Sequence, residues 1–311
     1  MPKIQLCCTL AVLLAASTAL ASPKAFETPE AAVGAVVEAL KAGDRDALLA
    51  AFGPENEDVI ISGNDERDRE DREDFLAAYD HMHRVAVEDD GVATLYVGRE
   101  QWPFPIRLVR GDGGWTFDVE AGREEILDRR IGRNELDVIE LMHAYVRVQS
   151  RFRQTDYDGD GVMEFAGALL SSHGQRDGLY WPPEPGAPES PVGDIVAQAA
   201  ANGYVIRGQN EPPKAYLGYY FHVLQKQGPN APGGAMDYAV NGNMVAGHAL
   251  LAFPAAWGET GIMSFMVGEN GVVLEADLGE STIETANAIE AFDPGEDWEP
   301  VLEDAETASS E

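Results

Sequence analysis

One stretch restricts the possible folds of this chain more than any other. Between residues 122 and 153, apolar side chains recur as Val138, Leu141, Tyr145, Val148 and Phe152, at spacings of three and four, with Ile139, Met142 and Val146 widening the stripe. That is the period of an amphipathic helix with one buried face. The pattern breaks at Asp156-Tyr-Asp-Gly-Asp-Gly-Val-Met-Glu164. Segments with strand character lie on both sides: Arg84–Glu88, Val92–Val97, Phe104–Arg110 and Trp115–Val119 before it, and Gly218–Leu224, Gly247–Pro254, Gly261–Val267 and Val272–Leu278 after it. The Gly111-Asp-Gly-Gly114 and Asn270-Gly271 turns join neighbouring strands as hairpins. A long helix among antiparallel strands is an α+β pattern, and the length implies two domains.

The first domain is expected at residues 23–121. Thr28-Pro29-Glu30 is a helix start, followed by Ala32, Val33, Val36, Val37 and Leu40 and a stop at Gly43; Asp44 opens a second helix through Leu48, Leu49 and Phe52. Asn64 to Asp74 carries seven acids and three arginines and reads as a solvated loop running into a helix through Phe75, Leu76 and Tyr79. The second domain is expected at 122–300, with a long helix on an antiparallel sheet. Tyr180 to Pro191 is a proline-rich, extended connector, and 301–311 an acidic flexible tail.

Residues 1–21 read as a cleavable targeting segment. Lys3 is followed by an apolar run from Leu6 to Leu20 that closes on Ala19-Leu20-Ala21. The run is too short for a stable membrane span. Cys7 and Cys8 stand at the start of the apolar run, not at its end, and are the only cysteines, so a chain cut after Ala21 has no disulfide, thiol nucleophile or Cys-ligated zinc. The expected address is the periplasm, or the exterior. The net charge is −32, and Lys226 is the last basic residue, with acids continuing to Glu311. Nucleic acid and anionic lipid would be repelled by such a surface; cations, basic partners or a salty medium fit it better. An unidentified protein or envelope component is the expected partner.

The loop after the long helix carries the one chemical signal. Asp156, Asp158 and Asp160 alternate, so a tight turn aims three carboxylates at one point, and Gly161 relaxes the bend. Ca²⁺ takes six to eight hard oxygens in flexible geometry. The expected ligands are Asp156, Asp158, Asp160, the Val162 carbonyl and Glu164. An EF-hand would have an acid at the twelfth position, which here is Gly167, so the loop is an Asp-rich metal loop of another kind. An ion-free Asx-and-glycine turn is the alternative. Four carboxylates within nine residues repel one another unless a cation is present.

Catalysis has no comparable signal: the sequence holds no Gly-x-Ser-x-Gly, no His-Glu-x-x-His and no phosphate-cradling glycine-lysine loop. The rival reading is a periplasmic hydrolase in which His173, Asp177, Glu184, His222, Asp237 and His248 converge near the proline-rich passage. A third reading gives the first domain a pocket for a small apolar ligand, faced by Asp80, His81 and His83. The aromatic residues Tyr216, Tyr219 and Tyr220 read as core and rim.

Several strings resemble a known bacterial family: Arg176-Asp-Gly-Leu-Tyr-Trp-Pro-Pro, Glu189-Ser-Pro-Val-Gly, Gly218-Tyr-Tyr-Phe-His-Val-Leu, Gly228-Pro-Asn-Ala-Pro-Gly-Gly-Ala-Met-Asp-Tyr, Val240-Asn-Gly-Asn-Met and Gly258-Glu-Thr-Gly-Ile-Met-Ser-Phe. They are similar to the exported domain-of-unknown-function 2950 family, over nearly the whole chain beyond residue 21; the resemblance implies no activity. The second half also resembles the globular part of type II pseudopilins, which pack a helix on an antiparallel sheet and commonly stabilise a loop with calcium. It lacks their apolar helix front. The first half resembles nuclear-transport-factor-2-like domains, whose cones often hold a pocket.

Overall fold

A computed structural model describes residues 23–60, 65–88, 91–186, 188–191 and 215–302. The segment expected to be a targeting signal and the tail from residue 303 lie outside them. The protein is α+β, and its chain divides into two compact units, the first ending at Ile126 and the second beginning at Leu127.

In the first unit, helices α1 (Pro29–Ala42), α2 (Arg45–Phe52), the single-turn α3 (Glu57–Ile60) and α4 (Asp65–His81) precede the sheet. The caps are local. Thr28 accepts from the Ala31 N–H at 3.1 Å with Pro29 at the first helical position, Asp44 accepts from Ala47 N–H at 3.0 Å, and Gly43 ends α1 at φ 64°. The acidic run is helical from Asp65, not a loop. One reason is spacing: Arg69 and Glu73 stand one helical turn apart and pair at 2.9 Å, a contact that only the helix brings together.

Strands β1 (His83–Val87), β2 (Val92–Val97), β3 (Trp102–Pro103), β4 (Leu108–Gly111) and β5 (Gly114–Phe117) form one antiparallel sheet in the order β1-β2-β4-β5, with β3 also on β2. The expected strand Phe104–Arg110 is cut back to Leu108 at its start, because Pro105 has no N–H to give a ladder. Ala93, Leu95, Val97, Leu108, Trp115 and Phe117 pack under Val33, Val36, Val37 and Phe52. Gly114, at φ 120°, lies where a Cβ would run into the Phe26 carbonyl, and Phe26 and Trp115 exchange two backbone hydrogen bonds of 2.8 Å.

Helix α5 runs from Val119 to Phe152. In the second unit its apolar stripe covers a five-stranded antiparallel sheet. Along the chain follow β6 (Ala168–Leu170), β7 (Gly178–Tyr180), β8 (Tyr219–Leu224), β9 (Lys226–Gln227), β10 (Met236–Asp237), β11 (Ala239–Val240), β12 (Asn243–Met244), β13 (Ala249–Pro254), β14 (Met263–Gly268), β15 (Val273–Asp277), a helix Thr282–Ala288 and β16 (Glu299–Pro300). The main sheet has the order β16-β15-β14-β13-β8, while β6 and β7 form a parallel pair.

Strand β13, which lies between β14 and β8, is buried at all six positions, and the alternation of a strand sorts its side chains to two cores. Leu250 and Ala252 join Phe221, Phe265, Val267 and Val273 under Val138, Met142 and Tyr145 of α5. Leu251 and Phe253 face the other way, with Met266, Phe165, Met244, Ala286 and Phe292. A strand covered on both faces has no polar side to write into the sequence, which is why Gly247–Pro254 reads as a continuous apolar run. The proline-rich passage is pinned by Trp181, whose indole N–H donates to the Pro188 carbonyl at 2.9 Å.

Candidate metal centre

Two contacts, one buried and one half-buried, set the Asp loop in place before any ion is considered. Gln149, in the last turn of α5, has no exposed surface. Its amide N–H₂ donates to the Ala166 carbonyl and its Oε1 accepts from the Ala166 N–H, at 3.0 and 2.9 Å. One side chain thereby satisfies both backbone groups of a residue beyond the loop, so the intervening chain must double back. At the same time, Tyr157 packs against Phe152 and Trp181, with ring centroids 4.8 and 4.9 Å away.

Within that closed segment the backbone turns inward on the carboxylates. Asp156 accepts from Gly159 N–H at 2.6 Å and Gly161 N–H at 2.9 Å; Asp158 accepts from Asp160 N–H at 3.2 Å; Asp160 accepts from Val162 N–H at 2.7 Å. Gly159 and Gly161 supply the left-handed turns, at φ 80° and 88°. One carboxylate oxygen each from Asp156, Asp158 and Asp160 lies within 4.8 Å of the others. Two oxygens on opposite sides of a calcium ion stand about 5 Å apart, since each bond is roughly 2.3–2.6 Å, so this cluster has the span that the ion needs.

The electrostatics follow from these contacts. The Gly161 and Gly159 N–H groups, which favour the ionised form, hold the Asp156 carboxyl below its ordinary range. Glu164 is pushed up, first by burial and further by the negative charge of Asp158, Asp160 and Asp156.

The structure brings the carboxylates of three of the five expected ligands together. Val162 uses its N–H on Asp160, a bond in which its carbonyl, the expected donor to the ion, takes no part. Glu164 is outside the triad: its Oε2 accepts from the Met244 N–H at 2.9 Å, so it ties the loop to the β11–β12 hairpin. The same hairpin supplies a residue that the loop spacing could not reveal. The Asn243 amide donates to Asp160 Oδ2 at 2.6 Å, across 83 positions of sequence. Its only sequence trace is the Val240-Asn-Gly-Asn-Met string.

Four residues of the hydrolase reading have other surroundings. Asp177 accepts from both the N–H and the hydroxyl of Ser172, at 2.8 Å each, and so caps the β6–β7 connection. His248 is fully buried with neither ring nitrogen bonded to any partner, so it makes no hydrogen bond to His173 or Asp177. His222 lies on β8 beside Phe253, and Asp237 is exposed on β10. In the first unit, Asp80 pairs with Lys41, His81 accepts from Arg99, and His83 stacks on Tyr79 with centroids 3.7 Å apart, so all three have protein partners.

The chain is thus a two-unit α+β protein whose second unit carries a carboxylate-lined loop between a long helix and a sheet. It belongs to the family described as "Protein of unknown function (DUF2950)", which matches residues 23–301. No curated protein and no solved structure matches it.

Proposed function

We propose that this is an exported, non-catalytic protein of the bacterial envelope or periplasm that acts by binding, with a calcium ion stabilising the loop of its second unit. The observation that carries the calcium reading is the convergence of Asp156, Asp158 and Asp160 oxygens within 4.8 Å on a loop closed by Gln149. Calcium suits this set because all its donors are hard oxygens, with no histidine or thiolate to select a transition metal. The Val162 carbonyl and Glu164 complete the proposed set, Glu164 through the oxygen that Met244 leaves unused. The apolar run ending in Ala19-Leu20-Ala21 supports export, and the strong negative charge supports a cationic or basic partner. Among the described residues no helix is long and apolar enough to cross a membrane.

With Gly167 in place of a twelfth-position acid, the affinity expected is on the order of 10⁻⁴ to 10⁻³ M, as in extracellular modules. An ion that binds only the folded form stabilises it by about 2.7 kcal/mol at a hundredfold excess over the dissociation constant. Titration calorimetry and thermal melting with calcium against chelator test this. Wild-type protein should give binding heat and a rise in melting temperature, and Asp158→Ala should lose both while its calcium-free stability stays the same or rises slightly. No heat and no shift in the wild type would leave the loop an ordinary polar turn.

A further inference from the structure

Among the described residues, His248 is the most unusual polar group. It lies one residue before β13, has no exposed surface, and neither Nδ1 nor Nε2 has a hydrogen-bond partner. Buried polar groups are normally paired, so an imidazole left unpaired calls for an explanation. Two aromatic edges hold the ring: Tyr145 of α5 at 5.3 Å and 78°, and Phe165 at 4.7 Å and 65°. On Phe165 also rests the guanidinium of Arg153, 4.4 Å from the ring centroid.

The surroundings hold no charge that would welcome a proton there. From α5 comes Tyr145, whose hydroxyl already contacts the Ala249 carbonyl and the Gln149 amide, and Arg153 follows directly after the last residue of that helix. The segment after the Asp loop contributes Phe165, with Glu164 turned to Met244. Tyr238 packs on Gly247, and Glu269, after β14, pairs with Arg153 at 3.6 Å. No carboxylate bonds the imidazole. A protonated ring at this position would be a buried cation with a guanidinium on the far side of its neighbour.

We propose that His248 is an acid-release device: taking up a proton drives Phe165, and with it the segment that closes the Asp loop, away from α5 and β13. Phe165 and Ala166 form the hinge of the effect, because Phe165 N–H donates to the Met244 carbonyl at 2.7 Å and Ala166 holds Gln149. Burial first, and then Arg153, hold the closed-state imidazole down to about 4 from an ordinary 6.5. Between those values the released form binds a proton that the closed form does not. Release is therefore favoured as pH falls from 6.5 to about 4 and gains nothing further below that. The proposal goes beyond the calcium reading and holds whether or not the loop takes a metal, so it is tested in chelator.

Hydrogen exchange of the full chain in chelator, corrected for intrinsic rates, should show the Phe165 and Ala166 amides losing protection by on the order of a hundredfold between pH 7 and pH 4. The amides of β14 should keep theirs. His248→Phe, which removes the proton site and keeps a ring, should hold its protection at Phe165 and Ala166 across the same range. An equal loss in the variant, or no loss in the wild type, would overturn the proposal. Should the variant fail to fold, the wild-type ring is followed by NMR: the resonance of His248 must titrate well below 6.5, and titration at or above that value overturns it equally.

Discussion

Gln149→Leu removes the bracket that closes the Asp loop, and its cost follows from three contacts. The amide donates to the Ala166 carbonyl and the Tyr145 hydroxyl, at 3.0 Å each, and accepts from the Ala166 N–H at 2.9 Å. Gln149 and Ala166 both have zero exposed surface, so leucine leaves an N–H and a carbonyl with neither a side-chain partner nor water. Each such buried group costs about 1–3 kcal/mol. Tyr145 loses less, since its hydroxyl still faces the Ala249 carbonyl. The added apolar surface of leucine returns roughly 1 kcal/mol. The balance is a loss of about 2–4 kcal/mol from the second unit. At roughly 2–4 °C per kcal/mol for a domain of this size, its melting temperature should fall by about 5–15 °C. Calorimetric melting in chelator resolves this from any metal effect, and urea unfolding gives the same difference in free energy. A shift below about 2 °C would show that Ala166 finds other partners and that the loop is not closed by Gln149.

Further outcomes follow from charge and from the N-terminus. Glu275 lies directly across from Glu299 on β16, and burial, then Glu135 and Glu299, push its carboxyl up. Its ionised form therefore opposes folding at neutral pH, and the penalty disappears as pH falls through its raised folded value. Glu275→Gln should accordingly stabilise the protein at pH 7 by about 0.5 kcal/mol, the scale of one cross-strand like-charge pair, and have no such effect in acid; urea midpoints at both pH values check it, and a destabilised variant at pH 7 refutes it. If residues 1–21 are a cleaved leader, the exported protein should begin at Ser22, which intact mass measurement reads directly. A retained Met1 or a lipidated cysteine contradicts it.

What was legible from the chain alone was whatever depends on neighbours within a few positions. Thr28-Pro29 and Asp44 cap their helices as written, because a cap is satisfied within three residues. The Asp112-Gly113 turn pairs Gly111 with Gly114, and the strands around Asn270-Gly271 pair Val267 with Val273. The three aspartates converge because alternation and two glycines are enough to curl one loop. The acidic run from Asp65 departs from its loop-like composition for the complementary reason: charge density resembles a solvated loop, while pairing at a spacing of four favours a helix.

By itself, then, the sequence determined the α+β class, the long helix, the hairpins and the position of the carboxylate loop, since each of these is encoded by periodicity or by local hydrogen bonds. Only the tertiary structure decided the order β16-β15-β14-β13-β8, the two-sided burial of β13, and the use of Glu164 as a tether to Met244. It alone placed Asn243 on Asp160 and left His248 unpaired between Tyr145 and Phe165. These depend on contacts between residues far apart in the chain, and a residue's type and near neighbours carry no record of which distant surface will cover it.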